Sequence, residues 1–478
     1  MKNLNTNNAQ LIFDLTTTDL DISTDVYFYI VGLVGTDYYY LDSNFTPTLM
    51  SESDNTEKVG SFPGMKKYAT AIQNALAVNY PLKWANWGIK VAVGSNLILN
   101  LGNINTTTIP NLGTGTSAFS GRIYVSVGVP QLPFTVQLDK NKNVKGYTAP
   151  VFGDGSGVGG SLTLFDWIEF SYDKNGNFDG NTTQVNQFGF PLFLSGINTN
   201  GNVSPTQGKL NTSRSKILSE LVTEVQSPFG GSDIIVEVPS KAKSLYPKNV
   251  SYLRAISPLE ASKTTKAVAS KLNSYFNSDI DLAYKNWQSK PITVTDVSTG
   301  TYTGVVFPLA KHPDISIPNG YPESSLAFYK GKFTMAELVK KLKTTNPIVP
   351  AFYLTGTSNK ITSNDIFQCA DSLATGGTAQ KNVGKILGAA FNRGLIVSAS
   401  KEVTNNLSDK DCTSSSCDFY KSGTTFNTWA DLFHEFSENG LAYGFPYDDV
   451  CDQNSSIPTN GNTLQASFVR IELGKFYS

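Results

Sequence analysis

The chain has 478 residues, enough for two or three domains and a sizeable hydrophobic core, which excludes a peptide hormone or a disulfide-held miniprotein. Lysine and arginine total 38 against 39 aspartates and glutamates, so the formal net charge is -1 and there is no basic excess to bind a phosphate backbone. We therefore expect no nucleic-acid partner. Charged residues make up only 16% and aromatic residues 12%, a balance typical of extracellular, β-rich proteins.

No window of about 20 apolar residues occurs, so the sequence predicts no membrane partner. Residues 1–8 lack the apolar segment and cleavage site of a secretory signal. We nevertheless expect a secreted, extracellular protein, whose signal was removed before this numbering begins or which leaves the cell by another route. Cys412 and Cys417 flank a short polar run, which favours a local disulfide or free thiols over zinc, because only two histidines exist, His312 and His434. We expect no metal and no other cofactor.

About the first 200 residues predict strands separated by turns. Asp25–Gly32, Gly121–Gly128 and Leu162–Tyr172 are rich in β-branched and aromatic residues and end at glycines or polar clusters, as half-buried strands do. Strands of this kind with turns between them indicate a sandwich or barrel rather than alternating strands and helices. One short helix is predicted near Met65–Val78.

From about residue 206 the apolar residues follow the three-and-four spacing of amphipathic helices. The predicted helices are Ser215–Val225, Lys263–Gln288, Thr334–Thr344 and Lys381–Arg393, the last stopped by Gly394. Between them lie two apolar runs of strand type, Ile234–Val238 and Val349–Leu354. This stretch is therefore expected to be mixed α/β.

Strand and turn patterns return after about residue 400, apart from a helix predicted over Asn427–Glu438, and the chain ends in a strand pattern at Ser467–Gly474. We predict a β domain built from residues 1–205 and residues 401–478, with residues 206–400 as a mixed α/β domain inserted between them. The fold class is therefore mainly β with an α/β insertion. The junction of the two domains should form an open groove, and we expect a monomer.

The segment richest in chemistry surrounds Glu169. In the predicted strand Glu169 is in phase with Trp167 and out of phase with Ile168 and Phe170. If Ile168 and Phe170 face the core, Glu169 and Trp167 share the opposite face. A carboxyl that is partly desolvated beside an indole can act as the acid that protonates a leaving oxygen. The alternative is an ordinary solvent-facing glutamate on a strand.

Six segments in chain order carry a family resemblance: Ser120–Ser126, Phe165–Tyr172, Val185–Leu192, Ser274–Trp287, Trp429–Glu435 and Ala442–Val450. Together they resemble glycoside hydrolase family 64, the thaumatin-like endo-β-1,3-glucanases of the laminaripentaose-producing type. The resemblance implies a thaumatin-like β barrel or sandwich and an α/β domain that enclose an open groove. It also implies inverting hydrolysis of β-1,3-glucan.

In that family a glutamate at the position of Glu169 is the general acid. An aspartate in a Val-Asp motif about sixteen residues later is the general base, and inversion needs the two carboxyls roughly 6.5 to 9.5 Å apart so that a water fits. Here the residue after Val185 in that motif is Asn186. A carboxamide can orient the water but cannot take its proton, so on the order of 100- to 10,000-fold in rate is expected to be missing.

Three explanations for Asn186 stay open: a natural, weakened glucan binder, an engineered variant that traps substrate, or a substitute carboxylate. The nearby carboxylates are Asp179, Asp166 and Asp154. Asp179 is equally explained by turn chemistry in Asn177–Asn181, and we favour the turn.

Other candidates come from the C-terminal motifs and the aromatic residues. Asn427, His434 and Glu435 share a helix and are expected to brace the groove or bind sugar, whereas Tyr447, Asp448 and Asp449 either accept bonds from sugar hydroxyls or shape a turn, the structural role being favoured. The rings proposed to stack on sugars are Trp167, Tyr124, Tyr443, Phe445 and Tyr447, with core packing as the equal alternative. The glycine-rich run Gly153–Gly160 is interpreted as a plain loop rather than a phosphate site.

The sequence thus predicts a secreted, inverting endo-β-1,3-glucan hydrolase. Its partner would be a β-1,3-glucan polysaccharide such as laminarin, curdlan or the glucan of fungal cell walls. Glu169 is the expected acid, Asn186 stands at the base position, and Asp179 is a further expected substrate contact. The alternative is a non-catalytic β-1,3-glucan-binding or antifungal protein on the same scaffold. A secreted structural or toxin-like protein without a sugar ligand is the third possibility.

Overall fold

The computed structural model describes residues 9–58, 83–115, 117–148, 162–229, 234–238, 240–317, 321–355, 360–410, 419–458 and 464–477. The helix expected near 65–78, the loop at 153–160 with Asp154, and the pair Cys412 and Cys417 lie outside the described residues. Cys451 is disulfide-bonded, and Cys369 is a free, buried thiol. No helix within the described ranges is long and apolar enough to cross a bilayer.

Sixteen strands lie in the N-terminal part of the chain that the structure describes. They are β1 (Gln10–Asp14), β2 (Asp25–Val34), β3 (Asp37–Leu41), β4 (Pro47–Leu49), β5 (Glu57–Lys58), β6 (Lys83–Trp84), β7 (Ile89–Ala92), β8 (Asn96–Asn100), β9 (Phe119–Val127), β10 (Thr135–Leu138), β11 (Val144–Thr148), β12 (Leu164–Tyr172), β13 (Asn177–Thr182), β14 (Gln187–Phe188), β15 (Leu192–Asn198) and β16 (Val203–Gln207). The three strands predicted around residues 25, 121 and 162 are confirmed as β2, β9 and β12.

The rest of the described chain mixes helices and strands. The helices are α1 (Arg214–Glu220), α2 (Gln226–Phe229), α3 (Pro258–Ser262), α4 (Lys266–Ser274), α5 (Asn277–Trp287), α6 (Met335–Leu342), α7 (Ser363–Gln368), α8 (Thr378–Asn392) and α9 (Thr428–Phe436). The strands are β17 (Ile235–Glu237), β18 (Tyr252–Ile256), β19 (Ile292–Asp296), β20 (Gly300–Val306), β21 (Leu326–Lys330), β22 (Phe352–Leu354), β23 (Asn406–Ser408), β24 (Ser456–Ile457) and β25 (Leu464–Leu473).

The helix predicted over Lys263–Gln288 is two helices in the structure, α4 and α5, and the separate helix α3 precedes them. Helix α3 begins after Ser257. The Ser257 side chain accepts a hydrogen bond from the Glu260 N–H and caps α3, and Pro258 lies in the first turn. Thr265 then stands in an extended conformation and begins α4, and Phe276 begins α5. The non-helical backbone at Phe276 therefore divides a stretch whose apolar spacing alone indicates one helix.

A 13-stranded, curled sheet dominates the fold and includes the neighbours β16-β15-β25-β13-β12-β9-β2-β3-β4. On one face of its central strands, Ile168, Ile123 and Ile30 are directly opposite one another and belong to the main hydrophobic core. The next row points to the other face, because successive side chains alternate along a strand. Ile168 and Phe170 therefore face the core, as the strand pattern predicted.

A second core gathers the described helices other than α6 with a three-stranded sheet, β14-β18-β17, and a five-stranded sheet, β22-β21-β20-β19-β23. The C-terminal region contributes to both parts of the molecule. Strand β25 pairs with β1, β13 and β15 in the large sheet. Helix α9 instead packs into the second core through Trp429, Leu432 and Phe433.

The segment from Thr182 to Phe190 runs between these two cores. Gln187 donates to the carbonyl oxygen of Phe165 at 2.7 Å, and Phe188 packs on Phe433 with ring centroids 5.3 Å apart. Gly189 is required here, because a Cβ at that position would lie 2.2 Å from the Phe165 carbonyl oxygen. This close approach holds the segment that contains Asn186 against the end of β12.

Candidate functional site

Glu169 lies in a polar row that crosses the large sheet. It is directly opposite Asn181 on β13 and Arg122 on β9. One oxygen, Glu169 Oε1, accepts from Arg122 Nε at 3.2 Å and from Nη2 at 3.0 Å. The Glu169 side chain is 38% exposed and that of Arg122 is 30% exposed. The carboxyl is therefore both fixed in position and open to a ligand.

Arg122 lies above an aromatic layer. Its guanidinium is 5.0 Å from the centre of the Trp167 ring, and its Nη1 donates to the Tyr124 hydroxyl at 3.3 Å. Burial alone would lower the pKa of Arg122, but the Tyr124 and Glu169 oxygens outweigh it and raise the pKa, so the guanidinium stays charged. Arg122 was not identified from the sequence as a site residue.

Trp167 and Tyr124 are each only 1% exposed. They pack in a small cluster with Tyr29, Phe134 and Phe165 beneath the polar row. An aromatic ring that stacks on a sugar needs one open face, which neither ring has. Trp167 and Tyr124 therefore pack in a core, which is the alternative to stacking on a sugar. The fully buried Phe445, which lies against Arg393, is a third ring of this kind.

Tyr443 joins the C-terminal loop to the Glu169 row. Its main-chain carbonyl accepts from the Gln184 N–H at 2.9 Å, and its side chain is partly buried. The pKa of Tyr443 is raised by burial and by the nearby carboxylates of Asp449, Asp448 and Glu169. The electrostatic contact with Glu169 brings the predicted residue Tyr443 into the neighbourhood of the predicted acid.

Asp448 lies at the centre of a buried network. One oxygen accepts from Arg393 at 2.8 Å, and the other is 3.0 Å from His434 Nε2 and accepts from the Gly444 N–H at 2.9 Å. Burial by itself would raise the pKa of Asp448, but His434 and Arg393 outweigh it and lower the pKa. The carboxylate is fully enclosed, so it supports the loop and has no free face for sugar hydroxyls.

The other predicted C-terminal residues differ in exposure. Asn427 is buried and caps α9 while donating to Asn392, so its role is structural. Glu435 and Asp449 are exposed. Tyr447 is partly buried beneath Lys385, whose ammonium is 4.5 Å from the ring centre. Of the proposed stacking rings, Tyr443 and Tyr447 keep some exposed surface.

Asn186 contacts a carboxylate that belongs to the second core. Its Nδ2 donates to Glu260 Oε1 at 2.5 Å, and its main-chain carbonyl accepts from the Ser257 N–H at 2.8 Å. Glu260 also pairs with Lys263 at 2.5 Å, and its side chain is only 10% exposed. Glu260 was missed from the sequence, because it lies 74 residues from Asn186 and outside every recognised motif.

The structure corrects the interpretation of Asp179 as a turn residue. The turn is formed instead by Asp173, whose carboxylate accepts from the N–H groups of Asn175 and Asn177. Asp179 lies in β13 opposite Ser171, two rows beyond the pair Glu169 and Asn181 and on the same sheet face. Desolvation raises the pKa of Asp179, although part of its side chain is exposed.

Asp166 is fully buried and serves the backbone. Its oxygens accept from the N–H groups of Trp167, Gly189 and Phe190. Burial raises the pKa of Asp166 to about 7 against the opposing effect of these bonds. It cannot reach a substrate, and it ties the segment of Asn186 to β12.

Within the described residues no group of three or more histidine, cysteine, aspartate or glutamate side chains is arranged to hold a metal ion. The site offers the open carboxyl of Glu169 with the guanidinium of Arg122 beside it, the partly exposed carboxyl of Asp179 on the same sheet face, and the Glu260 carboxylate, which is bound to the amide of Asn186. Cleavage of a glycosidic bond by acid-base catalysis uses two carboxyl groups, one as the acid and one as the base.

Comparison with known proteins agrees with this chemistry. A family model described as β-1,3-glucanase, glycoside hydrolase family 64, matches residues 14–468. A search of curated protein sequences found no match.

Three solved structures share the fold. A laminaripentaose-producing β-1,3-glucanase in complex with laminaritetraose is 17% identical with a TM-score of 0.65, covering 98% of this chain and 99% of that one. A β-1,3-glucanase domain from Clostridium beijerinckii is 20% identical with a TM-score of 0.64 and the same coverage. A laminaripentaose-producing enzyme from Paenibacillus barengoltzii, complexed with laminarihexaose, is 19% identical with a TM-score of 0.51, covering 98% of this chain and 74% of that one.

Proposed function

Because the chain belongs to the β-1,3-glucanases of glycoside hydrolase family 64, we propose that it is a secreted endo-β-1,3-glucan hydrolase that inverts the anomeric carbon. The substrate would be laminarin, curdlan or the β-1,3-glucan of a fungal cell wall, bound in an open groove beside a thaumatin-like barrel. Relatives of the same fold have been crystallised with laminaritetraose and laminarihexaose, which supports this substrate class.

The observation that carries the proposal is the placement of Glu169. Its carboxyl is partly exposed on the large sheet and is held by Arg122. In the proposed reaction Glu169 donates a proton to the glycosidic oxygen as the bond to the anomeric carbon breaks. A water attacks that carbon from the opposite face and loses a proton to a base, which inverts the configuration.

A non-catalytic glucan-binding protein is the second candidate, and Asn186 is the specific observation that favours it. An amide at the position of the family's base cannot take a proton from water. If no other carboxylate replaces it, the protein binds glucan and turns it over slowly or not at all.

Incubation with laminarin separates the two candidates. A hydrolase releases short laminari-oligosaccharides, and NMR of the fresh products shows the α-anomer at the newly formed reducing ends. A binding protein retains laminarihexaose, measured by calorimetry, without releasing product. The absence of both binding and hydrolysis would contradict both proposals.

A further inference from the structure

We propose that Glu260 is the general base of this protein, replacing the carboxylate that Asn186 lacks. This rests on the proposed hydrolase function and assigns its second catalytic residue. In this chain the Glu260 carboxylate, in the first turn of α3, contacts the amide at position 186.

The relative position of Asn186 and Glu260 is fixed by several contacts. Asn186 Nδ2 donates to Glu260 Oε1 at 2.5 Å, and the Ser257 N–H donates to the Asn186 carbonyl at 2.8 Å. The next residue, Gln187, pairs with Ile256 in the ladder of β14 and β18. Ser257 also caps the helix turn that contains Glu260. A group held in this way meets the demand for fixed geometry in a catalytic base.

The oxygens of the pair suit this role. Both described contacts of Glu260, from Asn186 and Lys263, fall on Oε1, which leaves the lone pairs of Oε2 for a water. Because Asn186 Nδ2 points at Glu260, its own Oδ1 is the acceptor that remains to orient the same water. The amide would position the nucleophile, and the carboxylate would activate it.

The proposed step is balanced. The water oxygen forms a bond to the anomeric carbon as the bond from that carbon to the glycosidic oxygen breaks. One proton passes from the water to Glu260, and Glu169 gives one proton to the leaving oxygen. Exchange with solvent then returns both carboxyls to their starting states.

The other nearby described carboxylates fit less well. Asp166 is enclosed and already accepts three main-chain hydrogen bonds. Asp179 lies on the same sheet face as Glu169 and diagonally next to it, at about 7 to 8 Å between backbones, so it is placed beside the acid. An inverting base acts from the opposite face of the sugar ring. Asp179 is nevertheless exposed, unlike Asp166, so it is the main alternative to Glu260 as the base, and an experiment has to exclude it.

The experiment measures kcat and KM on laminarihexaose for the unaltered protein and for E260Q, D179N and the exchange variant N186D/E260Q. We expect E260Q to lower kcat by about 100- to 10,000-fold with little change in KM. The exchange variant places the carboxylate at position 186 and the amide at position 260, so one amide and one carboxylate stay in contact. It should regain most of the rate that E260Q loses. E220Q is the control, since Glu220 on α1 also pairs with a nearby lysine, Lys216, but its side chain is 28% exposed.

The result that overturns the inference alone is hydrolysis by E260Q within threefold of the unaltered protein. A loss of rate in D179N with none in E260Q would also overturn it, as would an exchange variant that folds, binds laminarihexaose and stays as slow as E260Q. If the unaltered protein binds laminarihexaose without cleaving it, the hydrolase proposal fails together with the inference. Thermal unfolding of each variant shows whether a lost rate reflects lost folding.

Discussion

The two halves of the candidate site are built in different ways. The sheet half consists of Glu169, Arg122 and Asn181, which share one row across three hydrogen-bonded strands. The loop half consists of Asn186 and Glu260, which meet through a side-chain contact between two short segments 74 residues apart. Ladder register fixes the first group, and helix capping with tertiary contacts fixes the second. The two groups therefore depend on different contacts, and each can be altered by mutation separately from the other.

Replacement of Glu169, the proposed acid, is the change with the largest expected effect, and it tests the sheet half directly. E169Q keeps the shape of the side chain but cannot donate the proton, so kcat on laminarihexaose should fall by about 100- to 10,000-fold. Binding of the hexasaccharide, measured by calorimetry, should persist. E237Q changes an exposed strand glutamate and should leave both values as they are. Unchanged hydrolysis by E169Q would show that the sheet half does not hold the acid.

D448N should have the largest effect on stability and tests the support of the C-terminal loop. Arg393 is 1% exposed and pairs with Asp448, so loss of the charge leaves a buried guanidinium without its counterion. We expect a loss of about 3 to 5 kcal/mol in the free energy of unfolding, measured by urea denaturation. The adjacent, exposed Asp449 supplies the control, since D449N should change stability by less than about 0.5 kcal/mol. Equal effects of the two variants would contradict a supporting role for Asp448.

Trp167 distinguishes packing from sugar binding in the sheet half. W167F removes part of a fully buried ring and its contact with Arg122, so stability should fall by about 1 to 3 kcal/mol. Affinity for laminarihexaose should stay within threefold, because the ring has no open face. Y443F removes the Tyr443 hydroxyl near Glu169 and serves as the comparison in the same calorimetric assay. A large loss of affinity in W167F with unchanged stability would restore the stacking role.

The sequence predicted the sheet half better than the loop half for a physical reason. Because side chains alternate along a strand, the sequence alone places Glu169 on the face opposite to Ile168 and Phe170, and no other strand or helix has to be known. It does not show that the second face is also covered, and so Trp167 and Tyr124 were proposed as open rings. The Asn177–Asn181 segment was assigned to a turn because its residues suit turns, whereas pairing with β12 makes it a strand.

The loop half depended on contacts that no local pattern reports. Asn186 was identified through its motif, but Glu260 becomes visible only when β14 and β18 pair and bring α3 beside it. Arg122 lay inside a recognised segment, in phase with Tyr124, and could have been found by extending the alternation argument from β12 to β9. Glu260 offers no such signal, because its position follows from tertiary structure alone.

The smallest expected effect concerns pH and the helix that supports the C-terminal loop. Burial, together with the neighbouring Glu435, raises the pKa of Asp431 to about 6. A carboxyl with a raised pKa binds its proton more readily in the folded than in the unfolded protein. Protonation of Asp431 therefore increases the free energy of unfolding as pH falls through about 6. This increase is complete near the unfolded pKa of about 3.9, and it is lost again as pH rises through about 6.

D431N should remove this part of the pH dependence and stabilise the protein slightly at pH 7.5, by less than about 1 kcal/mol because solvent screens the partly exposed carboxyl. Asp166, whose raised pKa has the same sign, stays in both proteins, so the measurement is the difference between their urea midpoints at pH 5 and pH 7.5. E435Q should lower the same difference by a smaller amount, since Glu435 is the second cause after burial. Parallel pH curves for D431N and the unaltered protein would show that protonation of Asp431 makes no contribution to the stability of this helix.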